Sequence, residues 1–453
     1  MCKNFTVLAV LLALTAIASA QEAKDSRQSV ADAVEQAHAI LWSKFVDKNG
    51  VILDWLADLP TPEECARSYP NGLGWFTPIE NGAMFTGPYL IAECERARRT
   101  GKQIDRNHAQ ILANGLLKLA SVSDVKGMIV RGLGSDGKCH YPIGSDDQTH
   151  PWFTGLYAYW NSGIPTDAEK QRIAGKIKEV AEELNANIWK CPCDGDFKGK
   201  FRGWFSAGGF RETVRLVSML KIAFKITGDP VWQQRYTDKL NEIPAIPPGQ
   251  TMTRLESIEE GYGPDVEKLY HGKKQKGPFW TWIYVGAVTG LKQLADMEEN
   301  PELKARYTKA LASCSSEAFP DTDRWAIQFD NNNSSLFGLA DWRAVFHSWV
   351  PQKTIPEAVK ASETGDKEKW GPRLGYENQF GRIPLACAVI AVQTQDPAYR
   401  ETIEKVLKHY DYSKFYTSVS LVYAECAFYM MGGESLPSGL GHYSKPKEHG
   451  NRG

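Results

Sequence analysis

The chain has 453 residues and almost balanced charge, 53 Lys and Arg against 54 Asp and Glu, with 42% hydrophobic and 11% aromatic residues. The balance argues against a nucleic-acid partner, which a basic excess would attract, and the apolar content argues against a disordered chain. The 14 Trp, 18 Tyr and 18 Phe exceed what a core alone requires.

In chain order, the first element is an export signal. Lys3 precedes an apolar run at 5–17, and Ala18-Ser19-Ala20 matches an A-x-A cleavage site. Residues 1–20 therefore read as a signal peptide cleaved after Ala20. The run is short for a bilayer span and no second long apolar run follows it. The expected product is secreted or periplasmic, with no membrane span after cleavage. Among the cysteines beyond Cys2, Cys94, Cys387 and Cys426 sit in apolar helical runs and read as buried thiols. Cys65, Cys139, Cys191 and Cys193 lie in loop-like segments and are better bridge candidates. Cys191-Pro-Cys193 has no second Cys or His pair at zinc-ligand spacing, so neither a metal nor a cofactor is expected. Asp194-Gly195-Asp196 lacks the remaining ligands of a calcium loop and reads as a turn.

A helical hairpin then recurs. Segments 82–100, 209–227, 279–298 and 381–395 carry apolar residues at helical spacing. Three of them end in Thr227-Gly228-Asp229-Pro230, Glu299-Asn300-Pro301 and Gln395-Asp396-Pro397, where Pro opens the next helix. More charged helices follow at 104–122, 231–241, 302–317 and 398–409. A shorter apolar helix at 152–161 precedes a long charged one at 166–189. An amphipathic helix at 29–46 and an apolar one at 417–431 pair the two ends of the chain. Six apolar and six amphipathic helices predict an all-α fold, an (α/α)6 toroid of six helical hairpins. One domain spans 21–431 with an excursion at 319–375, in which 330–334 is a polar loop with an Asn-x-Ser sequon. Residues 432–453 read as a loosely held tail.

This alternation, with aromatic loops between the hairpins, resembles the six-hairpin glycosidase superfamily, and in size the unsaturated uronyl hydrolases within it. The resemblance covers most of 29–431 and is one of architecture. It implies a carbohydrate-active enzyme, and polysaccharide lyases and C5-epimerases share the same ring.

The loops entering the inner helices of such a ring gather at one mouth. Those segments contain Trp75, Glu80, Asp146, Asp147, His150, Trp152, Arg202, Trp204, Arg211, Glu212, Trp280, Trp282, Tyr376, Glu377, Asn378 and Arg382. Aromatic faces beside carboxylates, Arg and amides suit sugars, whose C–H surfaces stack and whose hydroxyls hydrogen-bond. Asp146, Asp147, Glu80, Glu212, Glu377 and His150 are the candidate catalytic residues. Adjacent Asp146 and Asp147 raise one another's proton affinity, but each can equally cap a helix. Arg211 with Glu212, and Glu377 with Arg382, read either as site groups or as internal ion pairs. Arg202, Arg211 and Arg382 fit a uronate carboxylate. Trp75, Trp152, Trp204, Trp280 and Trp282 are candidate stacking platforms, and Tyr262 lies in a loop expected to fold over the mouth. The expected function is hydrolysis of uronate-containing oligosaccharides, with Asp146 or Asp147 as proton donor and Glu80, Glu212 or Glu377 as second carboxylate, or with one acid and hydration of an unsaturated ring. A lyase or epimerase using Tyr262, Tyr376 or His150 as base, with Asn378 and Arg neutralising the uronate, is one alternative. A non-catalytic glycan-binding protein is another.

Overall fold

The computed structural model describes residues 29–246, 248–262, 268–270, 273–275, 278–329, 341–365 and 375–432. The expected signal peptide, the 330–334 loop, the tail beyond Gly432 and the side chain of Trp280 lie outside the described residues.

Local side chains set where the helices begin. α1, Val30–Ile40, opens on a reciprocal cap between Ser29 and Asp32 and runs on through a π turn, Leu41–Phe45. A short helix, α2, covers Pro62–Ala66. α3, Gly82–Thr100, stops at Gly101, whose left-handed backbone suits a residue without Cβ, and α4, Gln103–Leu119, follows. α5, Asp146–Asn161, begins six residues before the expected 152, so Asp146 and Asp147 lie in its first turn rather than in a loop. α6, Asp167–Ala186, starts with a reciprocal Thr166–Glu169 cap. β1, Lys190–Pro192, and β2, Phe201–Trp204, pair antiparallel. α7, Phe210–Thr227, α8, Pro230–Asn241, and the short α9, Arg254–Glu260, come next. β3, Lys268–Tyr270, and β4, Lys273–Gln275, form a second antiparallel pair.

The expected helix 279–298 is a 3-10 segment, Pro278–Tyr284, followed by α10, Val285–Met297. α11 covers Pro301–Ala318. Within the excursion lie α12, Pro320–Ala326, α13, Trp342–Val345, and α14, Ile355–Glu363. The last apolar segments are a π turn, Asn378–Arg382, leading into α15, Ile383–Ala391, then α16, Arg400–His409, and α17, Ser418–Met430. The three recurring turns work as helix starts: Asp229, Asn300 and Asp396 accept from backbone N–H groups just past the following proline.

The fold is predominantly helical. α3 packs on α5, α5 on α7, α7 on α10, α10 on α15, α15 on α17, and α17 returns to α3. Every residue of α15 and nearly every residue of α17 is buried, whereas α16 buries only Ile403, Val406 and Leu407. The more charged helices lie against the apolar ones: α4 on α3 and α5, α6 on α5 and α7, α8 on α7, α11 on α10 and α15, α16 on α15 and α17, and α1 on α16 and α17. α3 and α5 approach most closely through glycines, because a Cβ on Gly87 would stand 2.2 Å from the Pro151 carbonyl oxygen. The excursion folds back over segment 53–76. Trp342 Nε1 donates to the Asp58 carbonyl at 3.0 Å, and Gln352 Oε1 accepts from Gly72 N at 2.8 Å. Among the described residues, no helix is long and apolar enough to cross a membrane.

Candidate functional site

Placing Asp146 and Asp147 in the first turn of α5 aims both carboxylates at α7. Arg215, buried inside α7, donates through one Nη1 to Asp146 Oδ2 and to Asp147 Oδ1, each at 2.9 Å. Arg211, one turn earlier, lies 3.9 Å from Asp146 and pairs with Glu212 at 2.6 Å. Gly203 in β2 closes over Asp146. Its backbone is left-handed, and a Cβ there would stand 2.3 Å from Asp146 Oδ1. The side chain of Asp146 is 10% exposed and that of Asp147 31%. Burial, then the charge of Asp147, pushes the Asp146 carboxyl up. Burial acts on Asp147 too, but Arg215, Arg211 and Arg202 outweigh it and hold that carboxyl below the usual range. The proton affinities of two adjacent acids are thereby driven in opposite directions.

A second acid pair enters from the α3 side. Glu80 Oε2 accepts from Phe76 N at 2.8 Å, and Asp54 accepts from both the backbone and side-chain nitrogens of Asn81 at 2.7 Å. Burial raises Glu80, and burial together with the charge of Glu80 raises Asp54 well above its ordinary value. Gln148 links the pairs, donating to Asn81 Oδ1 at 3.3 Å from the helix that carries Asp146 and Asp147. Arg131 donates to the Glu80 carbonyl at 3.1 Å, and burial, then repulsion from Arg202, lowers it to about 10. Arg382 stacks 3.6 Å above the Trp282 ring, and its charge is felt by Asp54 and Glu80. Arg202 lies over the Trp75 ring at 5.1 Å, and Trp204 beside it is 49% exposed.

Several expected site residues lie elsewhere. Trp152 is fully buried with Nε1 donating to the Leu116 carbonyl at 2.7 Å, so it is a core residue and not a sugar platform. Tyr262 is buried, stacks on Tyr284 and donates to the Cys314 carbonyl, so it does not cover a mouth. His150 is fully buried against Ser218 Oγ at 2.9 Å, and burial, then Arg215, lowers it well below its ordinary value. Glu377 is fully buried and accepts from Tyr416 N, Thr417 N and Thr417 Oγ1 at 2.9, 3.1 and 3.0 Å, which fastens the start of α17. Tyr376 donates to the Gln328 carbonyl at 3.1 Å, and Asn378 opens the π turn that carries Arg382. The eight described cysteines are free thiols, although Cys65 and Cys139 lie within hydrogen-bonding reach of one another. Asp194 accepts from His140 at 2.8 Å at the start of the 3-10 turn Gly195–Phe197.

Comparisons with protein-family models, curated proteins and solved structures returned no match. The site thus rests on its own geometry. Sequence reading missed Asp54, Arg131 and Arg215. Arg215 had a visible signal, a charge interrupting the apolar stripe of 210–227. Asp54 and Arg131 had none, because both stand in irregular segments.

Proposed function

We propose that the chain closes into an (α/α)6 toroid and that its mouth hydrolyses glycosidic bonds in uronate-containing oligosaccharides outside the cytoplasm. The unbroken succession of apolar helices, with α17 returning to α3, supports the ring. The observation that carries the activity is the Asp146–Asp147 pair on one guanidinium, with proton affinities driven in opposite directions. In this reading Asp146 gives its proton to the leaving oxygen as the C–O bond breaks. Ionised Asp147 stabilises the positive charge that develops on the sugar ring. Glu80 accepts the proton of the incoming water, supplying the second carboxyl that glycoside hydrolysis requires. The elimination chemistry of a lyase has less support, since His150 and Tyr262 are buried.

Arg202, Arg211 and Arg382 would read the uronate carboxylate, a pairing suited to the planar guanidinium. A charge-assisted hydrogen bond contributes about 1.5–3 kcal/mol. Arg202→Met is therefore expected to raise KM for uronate oligosaccharides by about 10- to 100-fold while leaving KM for neutral oligosaccharides unchanged. Steady-state kinetics on matched acidic and neutral substrates checks this. An equal change on both substrates would remove the uronate from the proposal.

A further inference from the structure

Away from Asp146, helices α1, α3 and α4 enclose a second polar cluster. His38 from α1, Glu93 from α3, and Asp105 and His108 from α4 each bring one ligand-capable atom, all within 4.8 Å of one another. Glu93 is fully buried and neither of its carboxylate oxygens has a hydrogen-bond partner. His108 Nδ1, likewise unpartnered, faces Glu93 Oε1 at 3.5 Å, and His38 Nδ1 lies 3.8 Å from Glu93 Oε2. Around a tetrahedral ion with bonds of about 2.0–2.1 Å, ligand atoms stand about 3.4 Å apart. Two of these separations already approach that spacing.

The surroundings fix the two imidazoles. Trp42 stacks on His108 with ring centroids 3.6 Å apart, and Trp42 Nε1 donates to Tyr89 Oη at 2.9 Å. Tyr89 and Glu425 both meet His38 Nδ1 at 3.0 Å. Charge points the same way. Glu35, Glu93, Asp105 and Glu425 surround a single guanidinium, Arg96, whose Nη2 is held by Glu35 at 2.8 Å and Nε by Asp105 at 3.0 Å. Four carboxylates thus face one guanidinium. Burial strongly disfavours such an excess unless the acids take up protons or a cation enters.

We propose that His38, Glu93 and His108, with Asp105 as fourth ligand, bind one divalent transition-metal ion of the zinc class and so pin α1 to α3 and α4. Nitrogen and oxygen donors in this ratio suit zinc, and a shell completed by protein is the structural type rather than the catalytic one. Binding exchanges the His38 Nδ1 hydrogen bonds to Glu425 and Tyr89 for a metal bond and leaves both groups beside the ion. His108, with its side chain 15% exposed, offers the route in.

The test is calorimetric titration of Zn²⁺ into the chelator-treated full chain, repeated for Glu93→Gln, His108→Ala and the exposed control His347→Ala. The expected result is one ion per chain, affinity at least about tenfold weaker in Glu93→Gln and His108→Ala, and no change in His347→Ala. In parallel, Co²⁺ added to the wild-type chain should develop the intense visible bands of a four-coordinate site. His108→Ala stands near the surface and guards against a folding defect in Glu93→Gln. Absence of saturable binding, or equal affinity in all variants, overturns the proposal, as does a Co²⁺ spectrum like that of the aqueous ion.

Discussion

Replacing Asp146 by Asn is expected to lower turnover by about 10²–10⁴-fold, the usual contribution of a positioned general acid, with little change in KM. Asn has nearly the same shape, and its Oδ1 can still accept from Arg215, so the loss falls on the proton and not on the scaffold. The pH profile carries the sign. Burial and the charge of Asp147 raise the Asp146 carboxyl, so its proton is held at low pH and lost as pH rises through that raised value. Turnover should therefore decline on the alkaline side. Glu80 is raised by burial and must be ionised to act as base, so it sets the acid limb. Asp147 stays ionised across both limbs because Arg215, Arg211 and Arg202 outweigh its burial. A kcat profile of Asp146→Asn that kept the alkaline limb would assign that limb to another group.

The second large effect is on stability. Trp152→Ala should lower the unfolding free energy by about 3–5 kcal/mol, the range for deleting a large buried aromatic side chain, and leave KM for the proposed substrates unchanged in the protein that remains folded. Trp152 is fully buried in α5, and its indole N–H is spent on the Leu116 carbonyl of α4. Removal opens a cavity between a hairpin and its neighbour and strands a buried carbonyl. Urea unfolding beside substrate titration separates the outcomes. A raised KM at unchanged stability would restore Trp152 to sugar binding.

The hairpins are legible in sequence because helical periodicity is local and because Asp229-Pro230, Asn300-Pro301 and Asp396-Pro397 mark where each second helix starts. Trp152 was misplaced for the same reason that Asp146 was found: both stand near one helix start, and spacing alone does not say which side chains turn inward. Glu377 was illegible as a cap, since the N–H groups it holds belong to Tyr416 and Thr417, beyond both α15 and α16. The His38–Glu93–His108 cluster was illegible too. Its members come from three helices, and each alone passes for an ordinary polar residue on an amphipathic face. The acid pair at 146–147 was visible, but the opposite shifts of its two carboxyls depend on Arg215, a long-range contact.

The claim that this mouth hydrolyses glycosidic bonds is tested most directly by incubating the purified chain with saturated and unsaturated uronate oligosaccharides. New reducing ends and the ultraviolet absorbance of conjugated C=C bonds are followed together. Hydrolysis predicts reducing ends that appear without any rise in absorbance, and with a fall wherever an unsaturated uronate is consumed, both slowed by about 10²–10⁴-fold in Asp146→Asn. Absorbance that climbs in step with the new ends, or binding without any new ends, would contradict it.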